Sequence, residues 1–381
     1  MPTPHTNPPH TPSLLTHQPL KLLFTILTIL TLPLRIIFIL CYHIPKPLRQ
    51  HPKWSYHTAI GVKIFTLYWR HTTTIEYHIP KTLNPGREKT RFVVITPPSL
   101  SPYRGITTIN PLIRPLPIGG VWYNHPPPFN EPPKGVIIHF HGGAYVLGGA
   151  REMESGWGPT LLAQRTGLPV LQVQYRLSSD AATTFPAAVQ DAITAYVYVL
   201  STLKIRPENI VLSGDSAGGN LALALLRYLS FDGKDVLPLP RAVLLWSPWL
   251  DLRVGKEVID GNANAGTEYL FGDLVVWGAR RYTPVDLGSG HPYISPLGNE
   301  YPSEVPIFLQ TGTAEVFYGD HVRFVDAMEK RGCEIEMVEV ENAPHDVFAA
   351  GGIVGFVREV EDVVDRAERF MDGAVGKEYL G

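Results

Sequence analysis

The pattern of apolar and polar positions divides the chain into two unlike parts. Residues 1–19 are rich in Pro, Thr and His and carry no charged side chain; such a segment cannot bury enough apolar surface to fold and predicts a disordered tail. From Leu22 to Tyr42 the sequence is apolar with few interruptions, long enough to cross a bilayer. Further on, Val136–Phe140, Ile210–Leu212 and Val305–Thr311 are short apolar runs that read as buried strands. Asn220–Leu229 reads as a helix, and Glu334–Val340, alternating apolar and acidic residues, as a half-buried strand.

The richest signal lies between the second of these strands and the helix. Gly214-Asp215-Ser216-Ala217-Gly218-Gly219 contains Gly-x-Ser-x-Gly in a strand–turn–helix context, the nucleophile elbow of α/β-hydrolases. Small residues on both sides allow a turn tight enough to hold Ser216 Oγ clear of the backbone, while the helix start offers unpaired N–H groups to a developing negative charge. The bare pentapeptide could be a flexible Gly-rich loop; the flanking strand and helix argue against that. A second motif precedes it. Val136–Phe140 runs into His141-Gly142-Gly143-Ala144-Tyr145, where an HGGG-type loop would supply oxyanion N–H groups. Gly143, Ala144 and Ala217 are the expected donors, and Gly142 shapes the loop. Alanine in place of a third glycine leaves the N–H in place and matters only where that position needs a positive φ.

In such a fold the nucleophile is followed by an acid and then a histidine. His345, in Asn342-Ala343-Pro344-His345-Asp346 just after the last strand, stands where a general base belongs. The rival reading, a solvated loop histidine, fits this place less well. Glu315 lies just beyond Val305–Thr311 and is the expected acid. Asp320, the alternative, falls deeper, in the first turn of the next helix, where an acid stabilises the N-terminus anyway.

The stretches His139-Phe140-His141-Gly142-Gly143-Ala144, Gln174-Tyr175-Arg176-Leu177, Phe185-Pro186-Ala187-Ala188, Gly214–Gly219 and Pro344-His345-Asp346 together resemble the hormone-sensitive-lipase-like branch of the α/β-hydrolases, the fold-3 group, over about residues 110 to 375. The resemblance implies an α/β-hydrolase fold: a mostly parallel central sheet flanked by helices, capped by the N-terminal region and an insertion at about 252–290. It places Glu315 on the acid position, where the family more often has aspartate. It further implies that Trp54, Tyr56, Phe65, Tyr68 and Trp69, with Tyr269, Phe271 and Trp277, help form the cap; such aromatics suit an apolar substrate and are equally ordinary core material.

Composition narrows the rest. A chain of 381 residues, 44% hydrophobic, has room for one α/β domain of 250 to 280 residues, and a net charge of −2 leaves no footprint for nucleic acid. Two cysteines, Cys41 and Cys333, do not suit a disulfide-stapled secreted design. His5, His10 and His17 belong to a low-complexity tail rather than a metal site, and no metal or cofactor is implied. In the 22–42 segment, an arginine costs about 2.5 to 3.5 kcal/mol on insertion scales while each Leu, Ile or Phe returns about 0.3 to 0.6, so Arg35 does not prevent insertion. No small-residue cleavage site follows, which favours a retained anchor over a removed signal; an amphipathic helix lying over the active site is the alternative. Lys46, Arg49, Lys53 and Lys63 after the segment favour a cytoplasmic catalytic domain, whereas anchored members of the resembling family often face the lumen of the endoplasmic reticulum. The side stays open, as does the oligomeric state. The expected organisation is a tail at 1–19, a single-pass anchor at 20–44, a cap or linker at 45–110 and the catalytic domain at 111–375.

The sequence therefore reads as a membrane-anchored serine hydrolase cleaving small apolar, sterol-like or natural-product esters with Ser216, Glu315 and His345. Two rivals remain: an acyltransferase, separable by product analysis with competing alcohols, and a ligand-binding member of the fold, against which the presence of His345 speaks.

Overall fold

The computed structural model describes residues 13–375 apart from 79, 100–101 and 128–132, so most of the expected tail, with His5 and His10, lies outside the described residues. Eight strands form one sheet: β1 (Phe92–Ile95), β2 (Ile118–Tyr123), β3 (Val136–Phe140), β4 (Val170–Gln174), β5 (Ile210–Asp215), β6 (Ala242–Trp246), β7 (Ile307–Gly312) and β8 (Ile335–Val340). Their order is β1-β2-β4-β3-β5-β6-β7-β8. β2 pairs antiparallel with β1 and β4, and from β4 to β8 every pair is parallel. The helices are α1 (Leu20–Tyr42), α2 (Tyr56–Thr74), α3 (Glu152–Ser155), α4 (Trp157–Thr166), α5 (Ala187–Val197), α6 (Ala217–Ser230), α7 (Lys256–Asp260), α8 (Gly272–Tyr282), α9 (Tyr318–Glu329), α10 (Val347–Val354) and α11 (Val357–Val375). The architecture is the α/β-hydrolase fold that the motifs imply.

Strand side chains alternate between two cores, as a period of two requires. Ile138, Leu212 and Leu245 face one way, against Ile193, Leu221 and Phe324 of α5, α6 and α9. Ile137, Val211 and Leu244 face the other, against Leu162 of α4, Phe348 of α10 and Val364 of α11. Because parallel strands are covered on both faces they read as continuous apolar runs, which is why β3, β5 and β7 are visible in the sequence. β8, at the edge, is covered less completely: Ile335 and Met337 are half-buried against one core, Val338 and Val340 are buried in the other, and Glu336 and Glu339 fall on opposite faces. The region expected as cap or linker, 45–110, contributes α2 and also strand β1, so the sheet begins before residue 111.

α1 has no buried residue. Its threonine hydroxyls turn inward on their own helix, Thr25 to Lys21 O, Thr28 to Phe24 O and Thr31 to Leu27 O, leaving an outer surface that is hydrocarbon for most of its length and is interrupted by the exposed Arg35. It packs on the outer side of α2, where Phe24 stacks on His71 at 5.6 Å and Tyr56 donates to Leu40 O at 2.7 Å.

The elbow requires glycine where strand, turn and helix crowd together. A Cβ on Gly214 would lie 2.2 Å from Gly218 O, and one on Gly218 only 1.9 Å from Phe140 O. Both obstacles are backbone, which cannot swing away. Gly218→Ala should therefore destabilise the protein by about 3 kcal/mol, the upper range for overpacking, measured by chemical denaturation. An unchanged midpoint would mean that α6 does not approach β3 this closely.

Candidate active site

Ser216 sits at the turn from β5 into α6 with φ +50° and ψ −115°, a region that non-glycine residues occupy only when the surroundings hold them there. Two backbone hydrogen bonds do so: Ser216 N–H donates to Trp246 O (2.9 Å), and Trp249 N–H donates to Ser216 O (2.9 Å). Its hydroxyl lies 2.9 Å from His345 Nε2, and His345 Nδ1 lies 2.7 Å from Glu315 Oε2. An ionised carboxylate accepts only, so Nδ1 carries the hydrogen and Nε2 is left to receive the serine proton. The structure thus brings together the three residues singled out in the sequence. Asp320 is elsewhere, at the start of α9, paired with Arg323.

Glu315 is fully buried. Its other oxygen, Oε1, accepts from Gly312 N–H (2.8 Å), Thr311 Oγ1 (2.6 Å) and Ser247 Oγ (3.0 Å). Burial alone would push this carboxyl up, but the nearby rings of His321 and His345 outweigh it and hold the group well below the ordinary carboxylate range.

The loop from His141 to Tyr145 lies across from the elbow. Gly142 N–H donates to Asp215 Oδ2 at 2.6 Å, so it is engaged in shaping the loop. Among the described residues the N–H groups of Gly143 and Ala144 meet no acceptor, and Ala217 opens α6, where an N–H has no partner within its own helix. Ala144 adopts φ +53°. The alanine is therefore less neutral than its backbone role suggests: a left-handed conformation costs a side-chain-bearing residue roughly 1–2 kcal/mol. Neighbours hold it there. Tyr145 stacks on Tyr282 with planes 3° apart and donates to Asn220 Oδ1 at 2.6 Å, and Gly278 of α8 leaves room for Ala144, since a Cβ there would come within 2.4 Å of Ala144 O.

Several residues at the site had no signal in the sequence. Glu268, in the cap insertion, accepts through Oε1 from Val316 N–H (2.9 Å) and His345 N–H (3.1 Å), clamping the acid and histidine loops together. Burial, and then the charge of Glu315, push its carboxyl well above the usual range, so Oε1 acts as the carbonyl oxygen of a neutral acid. Asp346 is likewise raised, by burial and then by Asp215. Asp215 itself is held low: burial opposes ionisation, but His139, 3.0 Å away through Nε2, outweighs it. Beside Ser216 is a cavity of about 90 Å³ walled by Phe65 and Trp69 of α2, Trp249, Leu274 and Phe317. Of the aromatics expected in the cap, Phe65 and Trp69 of α2 and Tyr269 of the insertion line it, Trp54, Tyr56, Tyr68, Phe271 and Trp277 do not, and no side chain of α1 reaches this cavity.

Glu268 offers a direct check. Glu268→Gln preserves the acceptor and should retain turnover, whereas Glu268→Ala strands two buried N–H groups and should cost about 1–3 kcal/mol for each. The sign with pH follows from the raised carboxyl. Its contribution to stability is complete below the pKa of the unfolded chain and is lost as pH rises through the higher folded value. Denaturation from pH 5 to pH 8 should accordingly show Glu268→Gln gaining on the wild type as pH increases; parallel curves would contradict the neutral assignment.

Residues 137–349 match the family model described as the alpha/beta hydrolase fold, and the chain belongs to that family. An esterase of Acinetobacter venetianus is 32% identical over 200 residues, 52% of this chain and 63% of that protein. An acetyl-hydrolase of Streptomyces hygroscopicus is 32% identical over 227 residues, 57% of this chain and 71% of that protein. The crystal structure of an esterase from the bacterial hormone-sensitive lipase family superimposes with a TM-score of 0.61 at 22% identity, covering 84% of this chain and 99% of the other.

Proposed function

We propose that the protein hydrolyses carboxylic esters of short acyl groups on an apolar alcohol, sterol-like or another natural product, from a membrane-attached position. The observation that carries the reaction type is the continuous hydrogen-bonded line from Ser216 Oγ through His345 to a buried, ionised Glu315. Ser216 attacks the ester carbonyl as His345 Nε2 takes its proton; Glu315 holds the ring by Nδ1–H and stabilises the imidazolium. The tetrahedral oxyanion receives N–H groups from Gly143, Ala144 and Ala217, each such donor being worth about 2.7 to 4 kcal/mol in the transition state. Collapse expels the alkoxide, which recovers the proton from Nε2, and water repeats the sequence on the acyl-enzyme. A cavity of about 90 Å³ beside the nucleophile favours an acetyl- to butyryl-sized acyl group, in keeping with the acetyl-hydrolase among the relatives. The aromatic wall from α2 suits an apolar alcohol.

p-Nitrophenyl esters of increasing acyl length test both statements. Turnover should be high for acetate and butyrate and at least a hundredfold lower for palmitate. Ser216→Ala should abolish it together with fluorophosphonate labelling, while folding is unchanged. Glu315→Gln should cut kcat by orders of magnitude, as a carboxamide did in a protease triad by about 10⁴, and Asp320→Asn should have a mild effect. Turnover by Ser216→Ala, or reversed phenotypes for the two acid variants, would refute the assignment.

Attachment rests on α1. Its 23 residues, at 1.5 Å each, span about 35 Å, against about 30 Å of bilayer hydrocarbon. Full-length protein should resist alkaline carbonate extraction, and deletion of residues 1–44 should release it with Ser216 still reactive to fluorophosphonate. A soluble full-length chain would refute the anchor.

A further inference from the structure

Behind Glu315 lies a second histidine that the triad does not use. His321, in the first turn of α9, is fully buried. Its Nε2 faces Pro248 O at 2.7 Å, its Nδ1 faces Thr311 Oγ1 at 2.7 Å, and Nδ1 is 3.4 Å from Glu315 Oε1. Hydrogen placement in this cluster is constrained. A carbonyl can only accept, so Nε2 carries a hydrogen. Thr311 has one hydrogen and lies 2.6 Å from Glu315 Oε1, an acceptor with none of its own; the threonine hydrogen must point there, or two lone pairs would meet at that distance. Thr311 Oγ1 is then left to accept from His321, and Nδ1 must carry a hydrogen as well. Both ring nitrogens donate.

We infer that His321 is a buried imidazolium whose charge, relayed through the Thr311 hydroxyl, keeps Glu315 ionised and sets the proton affinity of His345: a positioning residue for the reaction proposed above, on which this inference rests. The arrangement is static. No proton changes owner; a buried anion gains a cationic neighbour in a place where a lone carboxylate would go neutral. The other ionisable groups facing the cluster do not supply that charge. Glu268 from the cap insertion and Asp346 at the head of α10 are acids held neutral by burial, Asp215 at the end of β5 is an anion already paired with His139, and Tyr269 is a buried phenol. His321 also ties the acid to the nucleophile. Pro248, which accepts from it, precedes Trp249, whose N–H donates to Ser216 O.

The sign with pH is fixed by the charge. In a variant without the His321 charge, Glu315 is still held as a carboxylate by Gly312 N–H, Thr311, Ser247 and His345. Removing the cation therefore leaves the anion beside His345 less compensated, makes that ring easier to protonate, and should move the acid limb of the kcat/KM profile to higher pH. His321→Asn keeps a donor near the Nδ1 position without the charge. It should lower kcat tenfold or more, leave KM within about twofold, and shift the acid limb upward by half a pH unit or more. Thr311→Val, which breaks the relay with the ring in place, should reproduce the loss of kcat, and Thr311→Ser should restore it. A folded His321→Asn with wild-type kcat, or with lower kcat and an unmoved acid limb, overturns the inference. If His321→Asn does not fold, the threonine pair decides, and equal activity of Thr311→Val and Thr311→Ser overturns it. Ser216→Ala measured alongside keeps the two readings apart: activity surviving that change sinks the esterase mechanism, whereas activity that needs Ser216 and ignores His321 and Thr311 sinks only this inference.

Discussion

A single buried anion organises the candidate active site of this molecule. Glu315 has no contact with solvent, and a carboxylate so placed reverts to its neutral form unless donors and cations surround it. The loops that converge on it do so to meet that demand. The segment after β6 sends Ser247, β7 ends in Thr311 and the Gly312 N–H, and the loop before α10 brings His345. Ser247 works on both sides, donating to Glu315 and accepting from Asp346 N–H at 3.1 Å, so the charge of the acid fixes the chain next to the histidine. Two neighbouring acids are raised well above the usual range, first by burial and then by the nearest anion, Glu315 for Glu268 and Asp215 for Asp346, since like charges in one low-dielectric region repel strongly. These acids act on stability in opposite directions. The ion at Glu315 favours the folded state above the ordinary carboxylate range and is lost on acidification, whereas the neutral pair loses its advantage as pH rises.

What could be read from the sequence is what local chain geometry dictates. The elbow is legible because Gly214 and Gly218 must be small for reasons that lie within a few residues of Ser216. The buried parallel strands are legible because both their faces are apolar. His345 and Glu315 follow from their places after strands, given the order that the elbow implies. Glu268, Ser247, Thr311 and His321 could not be found that way. Glu268 and Ser247 act through contacts between distant parts of the chain, and Thr311 and His321, though close to Glu315 in the chain, belong to no motif whose spacing marks them. β1 was hidden for a related reason. It is only four residues long, and its membership of the sheet depends on β2 rather than on its own pattern. At Ala144 the backbone requirement is itself tertiary: a positive φ arises from how the loop is clamped between α8 and the Tyr145–Tyr282 stack.

The N-terminal region illustrates how a segment outside the matched family region becomes part of the site. Trp54 Nε1 donates to Asn342 O at 2.7 Å, three residues before His345. Gly61 of α2 lies so near α10 that a Cβ would come within 2.4 Å of Ile353 O. α2 therefore braces the histidine loop while Phe65 and Trp69 wall the cavity on Ser216. The nearby Lys53–Glu341 pair is exposed on both sides and adds little, since such pairs contribute at most about 1 kcal/mol; the indole bond and the close helix packing hold this corner. Among the described residues no side chain of α1 lines that cavity; α1 packs on the outer side of α2 through contacts such as Phe24 on His71. The division of labour follows from burial. The helix with covered faces packs into the α/β unit, and the helix with none, a sheath of leucine, isoleucine and phenylalanine with inward-turned threonines and one exposed arginine, is the basis of the membrane attachment proposed above.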